Sequence, residues 1–213
     1  MAEAILDIDC LPLGEFQTNS YLLSPSGQAE SWVVDPGLDA GGLLERLTER
    51  RLRVARIVLT HGHADHIAGV GDVKRLFPQA VVTCPAGDAE MLGDPRLNLS
   101  AMFGLPLTAP AAEQLVHPGD ELTLGSTRWR VLDSSGHTPG GVSYYCAEAG
   151  VVLAGDALFA GSVGRCDFPG SDYGRLIDNI RRHLLTLPPE TRVLSGHGPE
   201  TTIAAEARGN PYL

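Results

Sequence analysis

Apolar positions along this chain fall in short runs separated by turn-forming residues. Residues 4–9 (AILDID), 19–24 (NSYLLS) and 31–35 (SWVVD) are apolar or alternating, and Gly, Pro and Ser bound them, which predicts strands. Leu43, Leu44 and Leu47 then recur at helical spacing within 39–51, behind Asp39 as the expected N-cap. RIVLT at 56–60 is a continuous apolar run of the kind found in strands buried on both faces. After HGHADH a helix is expected through Val73 and Leu76 to Phe77, stopped at Pro78. A strand follows at 80–84 (AVVTC) and a short helix at 85–92. From Gly93 to Pro118 the chain is rich in Pro, Ala and Leu without periodicity, which predicts a long loop with helical turns, placed to border a site. Further strands are expected at 121–124, 128–134, 142–147 and 150–154, then a helix over 172–186 and a strand at 191–195.

Strands with intervening helices, in two successive halves, predict an α/β fold with sheets covered by helices on their outer faces. No linker-like stretch divides the chain, so residues 1–213 are expected to form one domain. The formal net charge of −10 argues against a nucleic-acid binder, which needs cations for the phosphates. No run approaches the roughly 18 apolar residues of a membrane span, and no membrane association is expected. MAEAILDIDCLPLG carries none of the marks of a signal peptide. Cys10, Cys84, Cys146 and Cys166 have no CxxC spacing and read as reduced thiols of a cytoplasmic protein.

The chemistry is concentrated in LTHGHADH at 59–66. His61 and His63 are two residues apart, a spacing that in an extended segment sends both imidazoles to one side. Asp65 and His66 follow where the chain turns into a helix, and can face a second metal. Paired hydrolytic metals sit roughly 3.5–4 Å apart, so their ligands must come from one compact segment plus a few distant ones. The distant candidates are His137 in DSSGHTPGG, Asp156 in VVLAGDALF and His197 in VLSGHGPE. Each follows an apolar strand and a glycine, which lets the backbone turn sharply at the strand end. A lone His or Asp in such a place is most often a cap or turn residue. Three repeats of one pattern, behind HxHxDH, make metal binding the better reading. His117 and His183 lack this context and read as structural or surface residues.

THGHADH at 60–66, SSGHTPGG at 134–141, GDALFAGSVGRCDFPG at 155–170, SGHGPET at 195–201 and NPYL at 210–213 closely resemble the metallo-β-lactamase superfamily, within it the small glyoxalase II-like hydrolases. The resemblance implies an αββα sandwich with two divalent metal ions at one edge. His61, His63 and His137 would hold one, Asp65, His66 and His197 the other, Asp156 bridging, with a water or hydroxide between them. Zinc is expected, and iron or manganese suit the same ligands. Asp65 and Asp156 are the expected catalytic carboxylates. The implied substrate is a small molecule, a glutathione thioester such as S-lactoylglutathione.

Asp156 disfavours lactam hydrolysis within this family, and the chain has no room for a nuclease-type insertion. Only 16 residues follow His197, so the helical domain of classical glyoxalase II enzymes is not expected. Arg165 stands about where a basic residue contacts glutathione in those enzymes, and is expected to meet a substrate carboxylate; the alternative is a salt bridge supporting its loop. A neighbouring arginine is expected to favour the Cys166 thiolate, although no catalytic role is assigned to it. Tyr144 and Tyr145 read as sheet aromatics before pocket residues. The enzymatic rival is a mononuclear iron persulfide dioxygenase, with His61, His137 and Asp156 as ligands.

Overall fold

The computed structural model describes residues 5–213, so Ala4 and the start of the N-terminal stretch lie outside it. Strands β1 (Leu6–Leu13), β2 (Thr18–Pro25) and β3 (Glu30–Val34) form an antiparallel meander. Helix α1 (Gly41–Glu49) leads to β4 (Arg53–Val58), helices α2 (Ala64–Ile67) and α3 (Val70–Leu76) to β5 (Val81–Pro85), and a long connection to β6 (Gln114–Val116). From β3 to β6 the pairing is parallel, completing a six-stranded sheet in sequential order.

The second sheet starts with β7 (Glu121–Leu124), β8 (Thr127–Asp133), β9 (Val142–Cys146) and β10 (Val151–Gly155). A small hairpin, β11 (Leu158–Phe159) and β12 (Ser162–Val163), precedes α4 (Tyr173–Asn179), β13 (Arg192–Ser195), β14 (Thr201–Thr202) and α5 (Ile203–Gly209). Its order is β14-β13-β10-β9-β8-β7, with β13 parallel to β10.

Side-chain alternation produces the layers, because successive strand residues face opposite sides of a sheet. In β3, Trp32 and Val34 enter the layer between the sheets, while Val33 packs outward with Leu43 and Leu47 of α1. In β10, Val151 and Leu153 face inward, while Val152 and Ala154 pack with Leu176 and Ile177 of α4. Trp32 and Trp129 meet across the sheets with ring centroids 5.9 Å apart, both fully buried. The result is helix, sheet, sheet, helix, as the sequence predicts.

The departures are local. Asp39 does not cap α1: it adopts a left-handed φ of 58°, and Ala40 holds the cap position. The helix expected after HGHADH is broken in two at Gly69, whose amide donates to Pro36 O at 2.8 Å; a Cβ there would strike Gly37 O. The 93–118 stretch contains a 3₁₀ turn, Ser100–Phe103, and also the edge strand β6, which had no sequence signal. The helix at 172–186 begins on Asp172, whose carboxylate accepts from Arg175 N, and passes into a π-helical turn at Ile180–Leu184. Near the end of the chain, Asn210 donates to Ser162 O at 2.9 Å and to the buried Glu206 at 2.8 Å, which ties the terminal NPYL to the β11–β12 hairpin. No helix among the described residues is long and apolar enough to cross a membrane.

Candidate metal centre

All seven predicted residues arrive at one edge of the two sheets. His61 and His63 leave the end of β4, Asp65 and His66 form the start of α2, and His137, Asp156 and His197 follow β8, β10 and β13. The sheets are joined there: the backbone amide of Asn19, at the start of β2, donates to Gly196 O at 2.7 Å, and its side chain donates to Ser195 O and Gly198 O. Tyr21 adds a 2.7 Å bond from its hydroxyl to Ser195 O. Gly155, at a left-handed φ of 50°, lies against Thr60, where no larger residue fits.

Two clusters result. The rings of His61, His63 and His137 lie with centroids 4.6–5.1 Å apart. In the second, Asp65 Oδ2 is 3.4 Å from His66 Nε2 and 3.2 Å from His197 Nε2. Donor atoms within each set lie within 4.8 Å of one another. Asp156 stands between them: Oδ1 is 3.3 Å from His66 Nε2, and Oδ2 is 3.6 Å from His137 Nε2 and 3.5 Å from His197 Nε2.

Surrounding hydrogen bonds orient the rings. Nδ1 donates to Arg165 O from His137 (2.7 Å) and to Phe16 O from His197 (3.0 Å). His66 Nδ1 bonds Asp35 Oδ2 at 3.1 Å. Asp35 also accepts from the Thr60 amide and, at 2.6 Å, from its hydroxyl. With its proton so placed, Thr60 Oγ1 accepts from His61 Nδ1 at 3.0 Å. Four imidazoles thus have Nδ1 engaged and Nε2 turned inward, the arrangement that fixes a metal-binding tautomer.

Charge divides the clusters. Burial, aided by His66, pushes His61 well below the ordinary histidine value. Burial and His137 hold His63 down at about 3, so these two rings are neutral donors. Burial also opposes charge on His66, but Asp65 and Asp156 outweigh it and raise that ring well above the ordinary value. His197 rises to about 10 against its own burial, through Asp156 and Asp65. The two carboxylates move in the opposite sense: burial would raise them, yet His66 and His197 bring Asp65 to about 2 and hold Asp156 well below its usual range.

A cation fits this donor set. Nε2 of His61, Nε2 of His137 and Oδ1 of Asp156 are buried without a hydrogen-bond partner, Asp156 Oδ1 being near His66 but not in bonding geometry. Each such atom is costly unless something binds it.

Other predicted residues fare differently. The Arg165 guanidinium pairs with Asp167 at 2.8 Å and lies 4.6 Å over the Phe168 ring. It borders the cavity above the metal centre, so the loop-supporting salt bridge is present at the rim. Cys166 is corrected: burial, with Asp172 and Asp167 nearby, pushes its thiol up to about 11, so the adjacent Arg165 does not favour a thiolate. Tyr144 is a core aromatic, fully buried and donating to Leu59 O at 2.8 Å. Tyr145 lies under Arg130. His117 is exposed beside Asp120, and His183 sits in the π-helical turn, both apart from the site. Asp35, Thr60, Asn19 and Asp88 were not anticipated. Asp35 had a faint signal, an acid ending the strand SWVVD, whereas Asp88 had none.

The metallo-beta-lactamase superfamily model matches residues 13–197, and the chain belongs to this superfamily. It is 38% identical to "Probable metallo-hydrolase YqgX" of Bacillus subtilis, covering 95% of each chain. It is 34% identical to "Hydroxyacylglutathione hydrolase GloC" of Haemophilus influenzae, covering 98% of each. Among solved structures it resembles BLEG-1 B3 metallo-beta-lactamase, with a TM-score of 0.93 and 39% identity over 97% of this chain and 99% of that one. TTHA1623 in a di-iron-bound form gives a TM-score of 0.86 and 35% identity over 96% and 100%.

Proposed function

We propose that this protein is a dinuclear metal-dependent hydrolase that cleaves a thioester of a small thiol such as glutathione. The observation that carries the reading is the pair of donor sets, His61 with His63 and His137 and Asp65 with His66 and His197, beside three unpartnered buried atoms on His61, His137 and Asp156. An unsatisfied buried polar group costs about 1–3 kcal/mol, so three side by side call for a bound cation. In this reading His61, His63 and His137 hold one ion, Asp65, His66 and His197 the second, and Asp156 contacts both. Zinc suits mixed imidazole and carboxylate donors. Iron and manganese suit them too, and TTHA1623 is described as di-iron-bound.

Two divalent ions would supply an activated water at neutral pH and polarise an acyl carbonyl. The chain supplies position. Thr18 Oγ1 donates to Asp65 Oδ2 at 3.0 Å, holding the carboxylate that orients the attacking water. The raised Cys166 thiol takes no part as a nucleophile. Arg165 stands at the rim, where a substrate carboxylate would replace Asp167 as its partner. A cytoplasmic setting belongs to the same proposal, and all four cysteines are free.

Similarity to the named GloC enzyme supports the thioester. The second cluster, Asp65, His66 and His197, suits a second ion, while likeness to ETHE1 from Myxococcus xanthus, 31% identical over 96% of this chain, keeps the mononuclear iron dioxygenase as the rival. Likeness to BLEG-1 makes a lactam amide the second reading, despite Asp156. Metal analysis beside a thiol-release assay tests these. The expected outcome is two metals per chain and free thiol from S-lactoylglutathione. One iron per chain with oxygen uptake on glutathione persulfide overturns the hydrolase, and turnover of a β-lactam without any of the thioester moves the assignment to the amide.

A further inference from the structure

The thioester reading is the basis for a narrower one. We infer that the acyl group of the substrate is apolar and about the size of an aromatic ring, seated against Phe16, Phe103 and Leu105. A cavity of about 390 Å³ opens directly above His63, Asp65, His137, Asp156 and His197. That volume suits a small organic ligand. Its apolar lining includes Phe16, Leu99, Phe103, Leu105 and Leu107, with Phe159 beside His197.

The polar side chains in that wall are already used. Asn98 gives its amide protons to Met91 O and Leu107 O, and its oxygen accepts from Ser100 N and Oγ. Ser100 Oγ in turn accepts from Leu107 N. Neither Asn98 nor Ser100 therefore has a free donor to offer a polar acyl group lying there. Phe103 and Leu105 are 59% and 72% exposed, and Phe16 is 44% exposed. Phe16 and Phe103 touch edge to face, centroids 5.4 Å apart, across the mouth. Apolar side chains gathered at the opening of a reactive centre mark a place that an apolar ligand covers. Phe16 also fixes His197 through its carbonyl, so this wall is continuous with the metal centre.

The reaction is R–CO–SR′ + H₂O giving R–COOH + R′SH. A C–O bond forms, the C–S bond breaks, and one proton from water ends on the departing sulfur. Only R is constrained by the wall, and a lactoyl group offers it a single methyl.

The test compares S-lactoylglutathione with S-mandeloylglutathione on the metal-loaded protein, because the pair shares thiol and α-hydroxyl and differs by methyl against phenyl. We expect kcat/KM at least tenfold higher for the mandeloyl ester, carried mainly by KM, and tighter competition by free mandelate than by lactate. Phe103→Ser with Leu105→Ser, both exposed, should shrink the ratio about tenfold. A wild-type ratio at or below one, or a ratio unmoved by the double substitution, overturns the inference. Absence of free thiol from both esters sinks the thioester reading itself, and this inference with it.

Discussion

Asp88 accepts a 2.6 Å hydrogen bond from the hydroxyl of Thr138, the residue next to His137. The same buried carboxylate accepts from the amide of Gly62, which lies between His61 and His63, at 3.1 Å, and from that of Gly140 at 2.7 Å. One side chain therefore sets the backbone under the whole first cluster. Asp88→Ala leaves two amides and a hydroxyl without partners, at about 1–3 kcal/mol for each group so orphaned. Metal affinity should fall by about 10–100-fold, the usual effect of removing a group that orients ligands. Chelator competition alongside thermal melting separates the two effects. A variant that melts earlier yet keeps metal as tightly as the parent would assign Asp88 to stability alone.

Asp88 also shows where the sequence stops being informative. The seven predicted residues were legible because their pattern is local: HxHxDH in six positions, then strand, glycine and ligand three times. Asp88, Asp35 and Asn19 act through partners 25 to 179 residues away, which no local pattern encodes. The fold divides in the same way. Core strands announce themselves by apolar runs, as in the β4 and β10 segments. The strands β6, β11, β12 and β14 are only two or three residues long, and exist because a neighbouring edge supplies their hydrogen bonds.

Asp156 is the group common to both clusters, so its removal should be felt by both. Asp156→Ala is expected to abolish hydrolysis and to lower metal content below two per chain. His117→Ala should change neither, since His117 is exposed and faces only Asp120. Metal analysis of both purified variants decides the matter. Full metal content and full activity in Asp156→Ala would show that it bridges nothing.

The thiol of Cys166 gives a pH signature. Burial and two nearby carboxylates push it up to about 11, above the ordinary range of a cysteine thiol, so the reactive thiolate is disfavoured. At pH 8 its thiolate fraction is about one part in a thousand. Alkylation by iodoacetamide, followed by peptide mass spectrometry, should therefore accelerate about tenfold per pH unit up to about pH 11. A labelling rate that levels off near neutral pH would mean that Arg165 activates the thiol after all.

Gly196 tests how closely the backbone packs on the centre. A Cβ built there would overlap Asp156 Oδ1 and approach Cε1 of His66 to 2.7 Å. Neither neighbour can yield freely, because His66 is held by Asp35 and Asp156 contacts both clusters. Glycine is thus required here by contact. Overpacking of this kind costs about 1–3 kcal/mol in stability. The larger consequence falls on the second cluster, since moving Asp156 or His66 separates the donors of Asp65, His66 and His197. Gly196→Ala should fold, bind fewer than two metals, and lose most of its hydrolytic rate. Gly198→Ala is the control for the loop, because a Cβ there meets nothing within 4 Å, although its positive φ adds strain of its own. Equal metal content in the two variants would remove contact with Asp156 as the reason for the glycine.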